Sequence, residues 1–444
     1  MRFFLHGVHV PHRKNTAETP AERMPSPKVV TIPMSMHIGK PATPCVNAGD
    51  EVFVGTLIGE QNGFISAPVY SSVSGVVKEF VDILLPSGAI GIAAKIESDG
   101  NMTLDESIEA PVVTDKASFI EAVKASGIVG LGGAGFPSYV KFNVPEGKEV
   151  DALIINGAEC EPYITSDTRT MIDRVDDMHD AICAICEYLG IKKVIIGIEK
   201  NKPKAIAKMR ELAENDSRIK VVVLPSLYPQ GGEKVLVYHT VGRVIPAGKL
   251  PLDVGVIVAN CTTIASIGSY LKTGIPLVSK CVTVDGGAIA EPKNVIAPIG
   301  TPIGNLIDFA GGFKENPRNV LLGGPMMGIA VENLDMPVMK NTNAVVALTD
   351  AESEPKRETA CIHCGACSSH CPLSLDPRSF MYAFHNGDAE KLGKLRIDIC
   401  MECGCCSFVC PAGKPLVEVN KLAKGMYRDY LAEKKAKEEK ENAK

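Results

Sequence analysis

Eight of the fifteen cysteines fall into two copies of one pattern. The first run is Cys361-Ile-His-Cys364-Gly-Ala-Cys367-Ser-Ser-His-Cys371-Pro372, and the second is Cys400-Met-Glu-Cys403-Gly-Cys-Cys406-Ser-Phe-Val-Cys410-Pro411. Each reads C-x2-C-x2-C-x3-C-P, the spacing that holds a [4Fe–4S] cluster. Three thiolates on a tight loop take one face of a cubane, and the fourth, displaced by the helix that follows, reaches the other cluster. The expected ligand sets are therefore Cys361, Cys364, Cys367 and Cys410 for one cluster, and Cys400, Cys403, Cys406 and Cys371 for the other. Structural zinc would need only two C-x2-C pairs, without the third cysteine or the C-x3-C-P close. A disulfide framework suits a small secreted chain rather than 444 residues. This chemistry is electron transfer.

A second chemical feature is Gly130-Leu-Gly132-Gly133-Ala-Gly135-Phe136-Pro137. It contains G-x-G-x-x-G, but a Rossmann dinucleotide site requires a strand before the loop and a helix opening at it. The preceding Ser118–Ser126 segment reads as a helix, and Pro137 ends the run too early, so that match is rejected. What remains is a loop without side chains whose backbone N–H groups can meet a flat ring or a phosphate. An ordinary tight turn is the plain alternative.

The other candidates carry less. Cys183 and Cys186 are spaced C-x2-C within a predicted helix, where core packing is the simpler reading. Cys405 lies off the ligand register of the second run, as a neighbour rather than a ligand. Cys160 and Cys261 lie inside the blocks described below, and nothing in the sequence shows that they react. His6, His9 and His12, three residues apart in an extended arm, make a poor metal set. No serine, histidine and acid arrangement points to hydrolysis.

The elements that must position these groups follow from pattern and punctuation. Residues 1–28 read as an extended arm rich in Pro, His and charge. Residues 29–98 read as all-β, with short apolar runs between Gly, Asn, Asp and Pro. Residues 115–240 alternate strands (Asp151-Ala-Leu-Ile-Ile, Lys193-Val-Ile-Ile-Gly, Lys220-Val-Val-Val-Leu) with helices, one carrying Met171, Val175, Met178, Ile182 and Ile185 and one from Lys204 to Ala213. That order implies a parallel sheet covered by helices. Residues 241–275 run on to Gly255-Val-Ile-Val-Ala-Asn and a candidate helix from Thr263 to Lys272. Residues 278–350 return to short strands, and the tail beyond Leu431 reads as a solvated, fraying helix. A net charge of −5 gives no reason to expect nucleic acid. No apolar run approaches the ~20 residues that span a bilayer. The start lacks the apolar core of a signal peptide. We expect a soluble chain in a reducing, cytoplasmic compartment, with any membrane association supplied by partners.

Four ordered blocks then carry a specific resemblance. The glycine loop with Lys141 looks like the flavin loop of the flavoprotein subunit of respiratory complex I. Asn156-Gly-Ala-Glu159-Cys-Glu161-Pro162 resembles that family's Asn-Ala-Asp-Glu-x-Glu-Pro, Tyr228-Pro-Gln-Gly231-Gly-Glu233 its Tyr-x-x-Gly-Glu-Glu, and Ala259-Asn260-Cys-Thr-Thr263 its Asn-Asn-Val-Glu-Thr. Residues 44–59 resemble the barrel-sandwich hybrid of biotinyl and lipoyl carriers. At the hairpin where those carriers present a modified lysine, this chain has Tyr70-Ser-Ser-Val-Ser-Gly, so the domain reads as structural. With the double cluster run, nearly the whole chain resembles the C subunit of the Rnf complex. The resemblance implies FMN, held without a covalent link, on Gly130, Gly132 and Gly133, with Lys141, Asn156, Asn260 and Thr263 reaching its phosphate and ring edges. Phe136, Glu161, Tyr228 and Glu233 would face the nicotinamide nucleotide, with Glu161 and Glu233 as the catalytic pair. Glu159 and Gly231 complete the cofactor-binding set.

Two departures stand out: Ala158 replaces the flavin-block aspartate, and Gly232 the first glutamate of Gly-Glu-Glu. The implied layout is α/β and multidomain. Residues 1–110 form the arm and barrel-sandwich domain, 111–276 a parallel α/β domain for FMN and NADH, and 277–352 a small β-rich domain of SLBB type. Residues 353–425 form a two-cluster ferredoxin-like domain, and 426–444 a charged tail. The implied activity is electron transfer between ferredoxin and NAD+, coupled to Na+ or H+ translocation. Its partners would be a ferredoxin-like iron–sulfur subunit and integral membrane subunits, holding this chain at the cytoplasmic side. A cobalamin reductase with the same parts, and a flavin-free iron–sulfur scaffold, are the rival readings.

Overall fold

The computed structural model describes residues 6–354 and 356–442. The first five residues of the predicted arm, Pro355 and the last two of the tail lie outside the described residues.

The barrel-sandwich region pairs a four-stranded antiparallel sheet with a three-stranded one. Its main strands are β1 (Val29–Pro33), β2 (Glu51–Val52), β3 (Gly75–Leu84) and β4 (Ile90–Ser98), ordered β1-β4-β3-β2. Alternate residues Val30, Ile32, Val77, Ala94 and Ile96 are buried, as a sheet with one covered face requires. The hairpin segment Ser71–Ser74 is buried too, so nothing is presented there as a swinging arm.

The α/β region is built on four parallel strands, β5 (Ala152–Gly157), β6 (Lys193–Glu199), β7 (Ile219–Leu224) and β8 (Val256–Asn260), ordered β7-β6-β5-β8. Along β5, Leu153 and Ile155 enter one apolar layer while Ala152 and Ile154 enter the opposite one. Both faces are covered, which is why these strands read as unbroken apolar runs. The chain runs outward from β5 to β6 and β7, then returns to the other side for β8. This makes the gap between β5 and β8 the point where strand order reverses, the usual place for a ligand in such sheets. Asn156 and Asn260 stand opposite each other there, at the carboxyl ends.

The covering helices are α1 (Lys116–Ala125), α2 (Ser166–Asp173), α3 (Val175–Leu189), α4 (Pro203–Asn215), α5 (Glu233–Val241) and α6 (Cys261–Thr273). The single helix expected over Met171–Ile185 is two, broken at Arg174 (φ −126°, ψ 38°), whose guanidinium donates to the Ala265 carbonyl at 3.1 Å and to Asp177 at 2.9 Å. The apolar spacing runs on across the break, so periodicity alone hides it.

The β-rich region carries strands β9 (Ser279–Asp285), β10 (Lys293–Pro298), β11 (Asn319–Leu322) and β12 (Ala344–Leu348), with a helix at Ile303–Phe309. Its sheet takes in Glu22–Arg23 of the arm as an outer strand beside β10. The fully buried Lys340 donates to the carbonyls of Pro68 and Gly127, both at 2.7 Å. One ammonium thus joins the β-rich region, the barrel-sandwich and the start of the glycine loop, and burial alone lowers its pKa to about 7. The C-terminal region packs the two cysteine runs against helices Pro377–His385 and Leu416–Asn442. Residues 432–441 of the latter helix are exposed. No helix among the described residues is long and apolar enough to cross a membrane.

Candidate functional site: a glycine cradle beside two cysteine nests

The glycine loop leaves α1, as the sequence implies, and is held from three regions. Gly130 N–H donates to Phe136 O at 2.8 Å, closing the loop. Ile38 N–H of the barrel-sandwich reaches Gly135 O at 3.1 Å. From the β-rich region, Asn341 Nδ2 donates to Gly133 O at 2.9 Å and Lys280 Nζ to Leu131 O at 3.3 Å. Leu131 N–H donates to Thr263 Oγ1 at 2.9 Å, fixing the loop to the first turn of α6. The glycines are not equivalent. A Cβ on Gly132 would collide with the Asn260 side chain, whereas one on Gly133 would meet nothing within 4 Å. Gly132 is glycine because protein packs against it; Gly133 faces open space. A flat cofactor against Gly133 fits that cradle.

Asn260 caps α6: its Oδ1 accepts from Thr262 N–H at 2.9 Å and Thr263 N–H at 3.2 Å, and its Nδ2 donates to Asp167 at 2.7 Å. Both ends of the amide are engaged, so Asn260 shapes the floor beneath Gly132. Asp167, which sequence reasoning missed, also accepts from Thr262 Oγ1 at 2.7 Å. Burial, then the nearby Glu159, raise its pKa. Glu159 itself binds the start of α2, accepting from Asp167 N–H at 2.8 Å, Thr168 N–H at 3.2 Å and Thr168 Oγ1 at 2.7 Å. Asn156 donates to Gly231 O at 2.9 Å and accepts from Ala158 N–H at 3.0 Å, tying two of the blocks together.

Lys141 donates to Val258 O at 2.8 Å and lies 3.8 Å from Glu233. Burial lowers its pKa, and Glu233 opposes the shift. Glu233 opens α5 with its side chain 43% exposed, a position the helix dipole also favours. Phe136 sits on the closing side of the loop.

Glu161 and Tyr228 lie deeper. The Tyr228 hydroxyl donates to Cys403 O at 2.8 Å and lies 3.4 Å from Glu161 Oε1, and the ring is buried. Glu161 Oε2 accepts from Met326 N–H at 3.1 Å, and a Cβ on Gly324 would strike that carboxylate. Burial pushes the Glu161 carboxyl up to about 7, despite the Met326 N–H. The loop Gly323-Gly-Pro-Met326-Met-Gly328 is therefore part of the site, and nothing in its residue pattern signals that. Another missed contributor is the arm. Lys14 Nζ donates to Glu159 O (2.8 Å), Glu161 O (2.7 Å) and Ile164 O (2.6 Å), and burial takes its pKa down to about 8. Val8 pairs with Tyr228 across an antiparallel bridge.

The cysteine runs form two nests. One cavity is lined by Cys361, Cys364, Cys367 and Cys410, the other by Cys371, Cys400, Cys403 and Cys406, with Cys405 alongside. The fourth cysteine of each run thus lies with the other run. The two loops repeat in backbone as well: His363 and Glu402 both have φ 56°, and Gly365 and Gly404 have φ 73° and 81°. Among the described residues, no three of these thiols come within the 4.8 Å of one another that a single ion would ask. Four spread thiols per nest fit a larger inorganic core. Amide donors face the sulfurs, Asn420 Nδ2 lying 3.8 Å from Cys400 Sγ and 3.9 Å from Cys406 Sγ. Cys405 points elsewhere, its thiol donating to Tyr228 O at 3.8 Å.

The second loop rests on the glycine-cradle domain. Met401 occupies the space a side chain on Gly232 would take. A glutamate there would have to displace the cluster loop, which gives a physical reason for that departure. A cleft of about 930 Å³ lies behind the glycine loop, where the arm, barrel-sandwich, α/β and β-rich regions meet. It shares Leu131 and Thr262 with the site but not Gly133, Lys141, Glu161 or Glu233. Cys160 and Cys281, both enclosed, have thiols pushed up to about 12 by burial, as inert thiols do.

Comparison with known proteins agrees with this arrangement. Residues 2–101 match the RnfC barrel sandwich hybrid domain, 123–269 the Nuo51 FMN-binding domain, 281–330 the SLBB domain and 360–414 a 4Fe-4S dicluster domain. The C subunit of the proton-translocating ferredoxin:NAD(+) oxidoreductase complex of Clostridium ljungdahlii is 43% identical over 85% of this chain and 83% of its own length. The Na(+)-translocating counterpart of Acetobacterium woodii is 43% identical over 84% and 85%. The C subunit of the ion-translocating oxidoreductase complex of Rhodobacter capsulatus is 40% identical over 94% and 82%. Among solved structures, a chain of the NAD+-reducing [NiFe]-hydrogenase in its H2-reduced state shares the fold, with a TM-score of 0.50 and 19% identity over 69% of this chain and 63% of that one. On these identities and coverages, the chain belongs to the family of C subunits of the ion-translocating Rnf complex.

Proposed function

We propose that this chain exchanges electrons with NAD(H) on behalf of a membrane-bound ferredoxin:NAD+ oxidoreductase whose partner subunits move Na+ or H+. FMN supplies the conversion between two-electron hydride chemistry and the one-electron chemistry of the clusters. The observation that carries the reading is the contact between the second cysteine loop and the flavin blocks, through Tyr228 and Cys403 and through Gly232 and Met401.

In this reading Gly130, Gly132 and Gly133 line the flavin, and Lys141, Asn156, Glu159, Asn260 and Thr263 position its phosphate and ring edges. Phe136, Glu161, Tyr228, Gly231 and Glu233 form the nucleotide side. Glu161, with a pKa near neutrality, is suited to hold or release a proton there. Glu233, exposed at the mouth, is suited to accept the hydroxyls of a ribose and to repel a 2′-phosphate. The functional units are residues 1–110, 111–276, 277–352, 353–425 and 426–444. A ferredoxin-like iron–sulfur subunit and integral membrane subunits are the partners, and they hold the chain at the cytoplasmic face.

The test is direct. Anaerobic wild-type protein releases FMN on denaturation, and NADH reduces its clusters as read by electron paramagnetic resonance. Clusters that dithionite reduces and NADH leaves oxidised would sink the proposal.

A further inference from the structure

Away from the flavin, at the opposite, amino-terminal end of the parallel sheet, three side chains of different chemistry converge. His179 and Cys183 stand one turn apart on one face of α3, and Asp216 ends α4 just before β7. His179 Nε2 lies 3.5 Å from Cys183 Sγ and 3.4 Å from Asp216 Oδ2. All three ligand atoms fall within 4.8 Å of one another, the only such His, Cys, Asp or Glu group among the described residues. Cys186, the other half of the C-x2-C pair, is buried in the core; Cys183 is not.

These separations have a specific meaning. Bond lengths of about 2.0–2.1 Å to nitrogen and oxygen and about 2.3 Å to sulfur give a tetrahedral zinc ion N···O edges of roughly 3.3–3.4 Å and N···S edges of roughly 3.6 Å. The observed 3.4 and 3.5 Å, which are also hydrogen-bond distances, lie close to those edges. The hydrogen bonding is otherwise awkward, since one imidazole nitrogen faces both a carboxylate oxygen and a sulfur and a single proton serves one of them.

The third edge is spanned by Arg218, whose Nη2 lies 3.2 Å from Cys183 Sγ and 2.6 Å from Asp216 Oδ2. Its Nε and backbone N–H hold the other oxygen, Oδ1, at 2.9 and 3.0 Å. The Arg218 side chain is 36% exposed, so swinging the whole guanidinium into solvent frees Oδ2, which both Nη2 and Nε hold, while the backbone N–H stays on Oδ1.

We propose that His179, Cys183 and Asp216 form a binding site for a zinc-like divalent cation, with the Arg218 guanidinium as its resident substitute. The imidazole nitrogen, the thiolate and one carboxylate oxygen are three ligands of a tetrahedron, and water completes the fourth. The thiol proton leaves to solvent on binding, and thiolate and carboxylate together neutralise the ion's two charges. The ion pins α3 to the turn that feeds edge strand β7. This site owes nothing to the flavin or the cysteine nests.

The experiment uses full-length protein with its clusters intact, given one equivalent of Zn2+ and desalted. Zinc-edge X-ray absorption should show one sulfur at about 2.3 Å and nitrogen or oxygen neighbours at about 2.0–2.1 Å. Cys183→Ser and His179→Gln, both at partly exposed positions, should keep their iron and lose the zinc. Arg218→Ala should bind zinc at least tenfold more tightly than wild type. Zinc surrounded by four sulfurs, meaning displacement of cluster iron, would overturn the site. So would zinc kept undiminished by Cys183→Ser, or zinc retained by neither wild type nor Arg218→Ala.

Discussion

At the scale of single residues, Glu161 is a carboxylate held far from its ordinary titration range. Its carboxyl titrates near 7 against an ordinary 4.5, because it is enclosed between Tyr228 and the Met326 loop, with Lys14 only partly offsetting the loss of water. The folded state therefore holds this proton more tightly than the unfolded one, and stability falls as pH rises from 4.5 through about 7. Above that window the ionised carboxylate costs on the order of 3 kcal/mol. Glu161→Gln should gain more stability over wild type at about pH 8 than at about pH 5, read from denaturation midpoints. The variant should also lose the step near neutrality in the pH profile of kcat/KM for NADH. An identical pH profile would remove Glu161 from the proton-handling role. The glycines offer a sharper contrast. Gly133→Val projects into open space, so the variant should fold, keep both clusters and release little or no FMN on denaturation. Gly132→Val strikes Asn260, the cap of α6, so it should lose about 1 kcal/mol or more of stability as well as flavin. Equal stability of the two variants would contradict this packing.

At the scale of elements, what the sequence makes legible is what is encoded at short range. The cysteine spacing, the glycine loop, three of the sheet strands and the helices after them are all written within a dozen residues. The parallel sheet follows because short, β-branched apolar runs alternate with helices along the chain. Four features could not be read that way. The break between α2 and α3 is set by Arg174 reaching Ala265. Asp167 matters only because α2 and α6 are neighbours. Gly232 is explained by Met401, and Gly324 by Glu161, partners more than 150 residues away in each case.

The arm is the plainest example. Its Pro, His and charge suggest an extended arm without saying where it docks, and Lys14 is bound by three carbonyls of the Glu159–Ile164 loop. That loop holds Tyr163 at φ 69°, a strained value for a non-glycine residue. Lys14→Met should leave three enclosed acceptors unmatched, at about 1–3 kcal/mol each where water cannot replace the ammonium. We expect faster hydrogen exchange across residues 158–165 and a raised KM for NADH, with iron content unchanged. Unaltered protection of that loop would mean the arm is a passive cover.

At the scale of the whole molecule, contacts join regions far apart along the chain: Lys340 reaches Pro68, and Tyr228 reaches the second cysteine loop at Cys403. Two relatives equally similar at 43% are named for different ions, one for protons and one for Na+, so overall similarity in this chain does not separate the two. What this chain does control is the electron route. The second cysteine loop touches the flavin blocks, while the first, with Ile362 and Cys364 exposed, faces outward. The nest nearer the flavin comprises Cys400, Cys403, Cys406 and Cys371; the outer one comprises Cys361, Cys364, Cys367 and Cys410. Because the fourth cysteines cross over, sequence proximity predicts the wrong damage. Cys371→Ser, though it lies in the first run, should impair the inner cluster, and Cys410→Ser the outer one. Wild-type protein should carry about eight irons, and Cys405→Ser should match it. In Cys410→Ser, NADH should still reduce the remaining inner cluster. In Cys371→Ser, the outer cluster should be reducible by dithionite but only sluggishly by NADH, since the relay between is damaged. Electron paramagnetic resonance after each reductant separates the two. If NADH reduces the surviving cluster equally fast in both variants, the clusters are not in series, and the inner nest is not the flavin's partner.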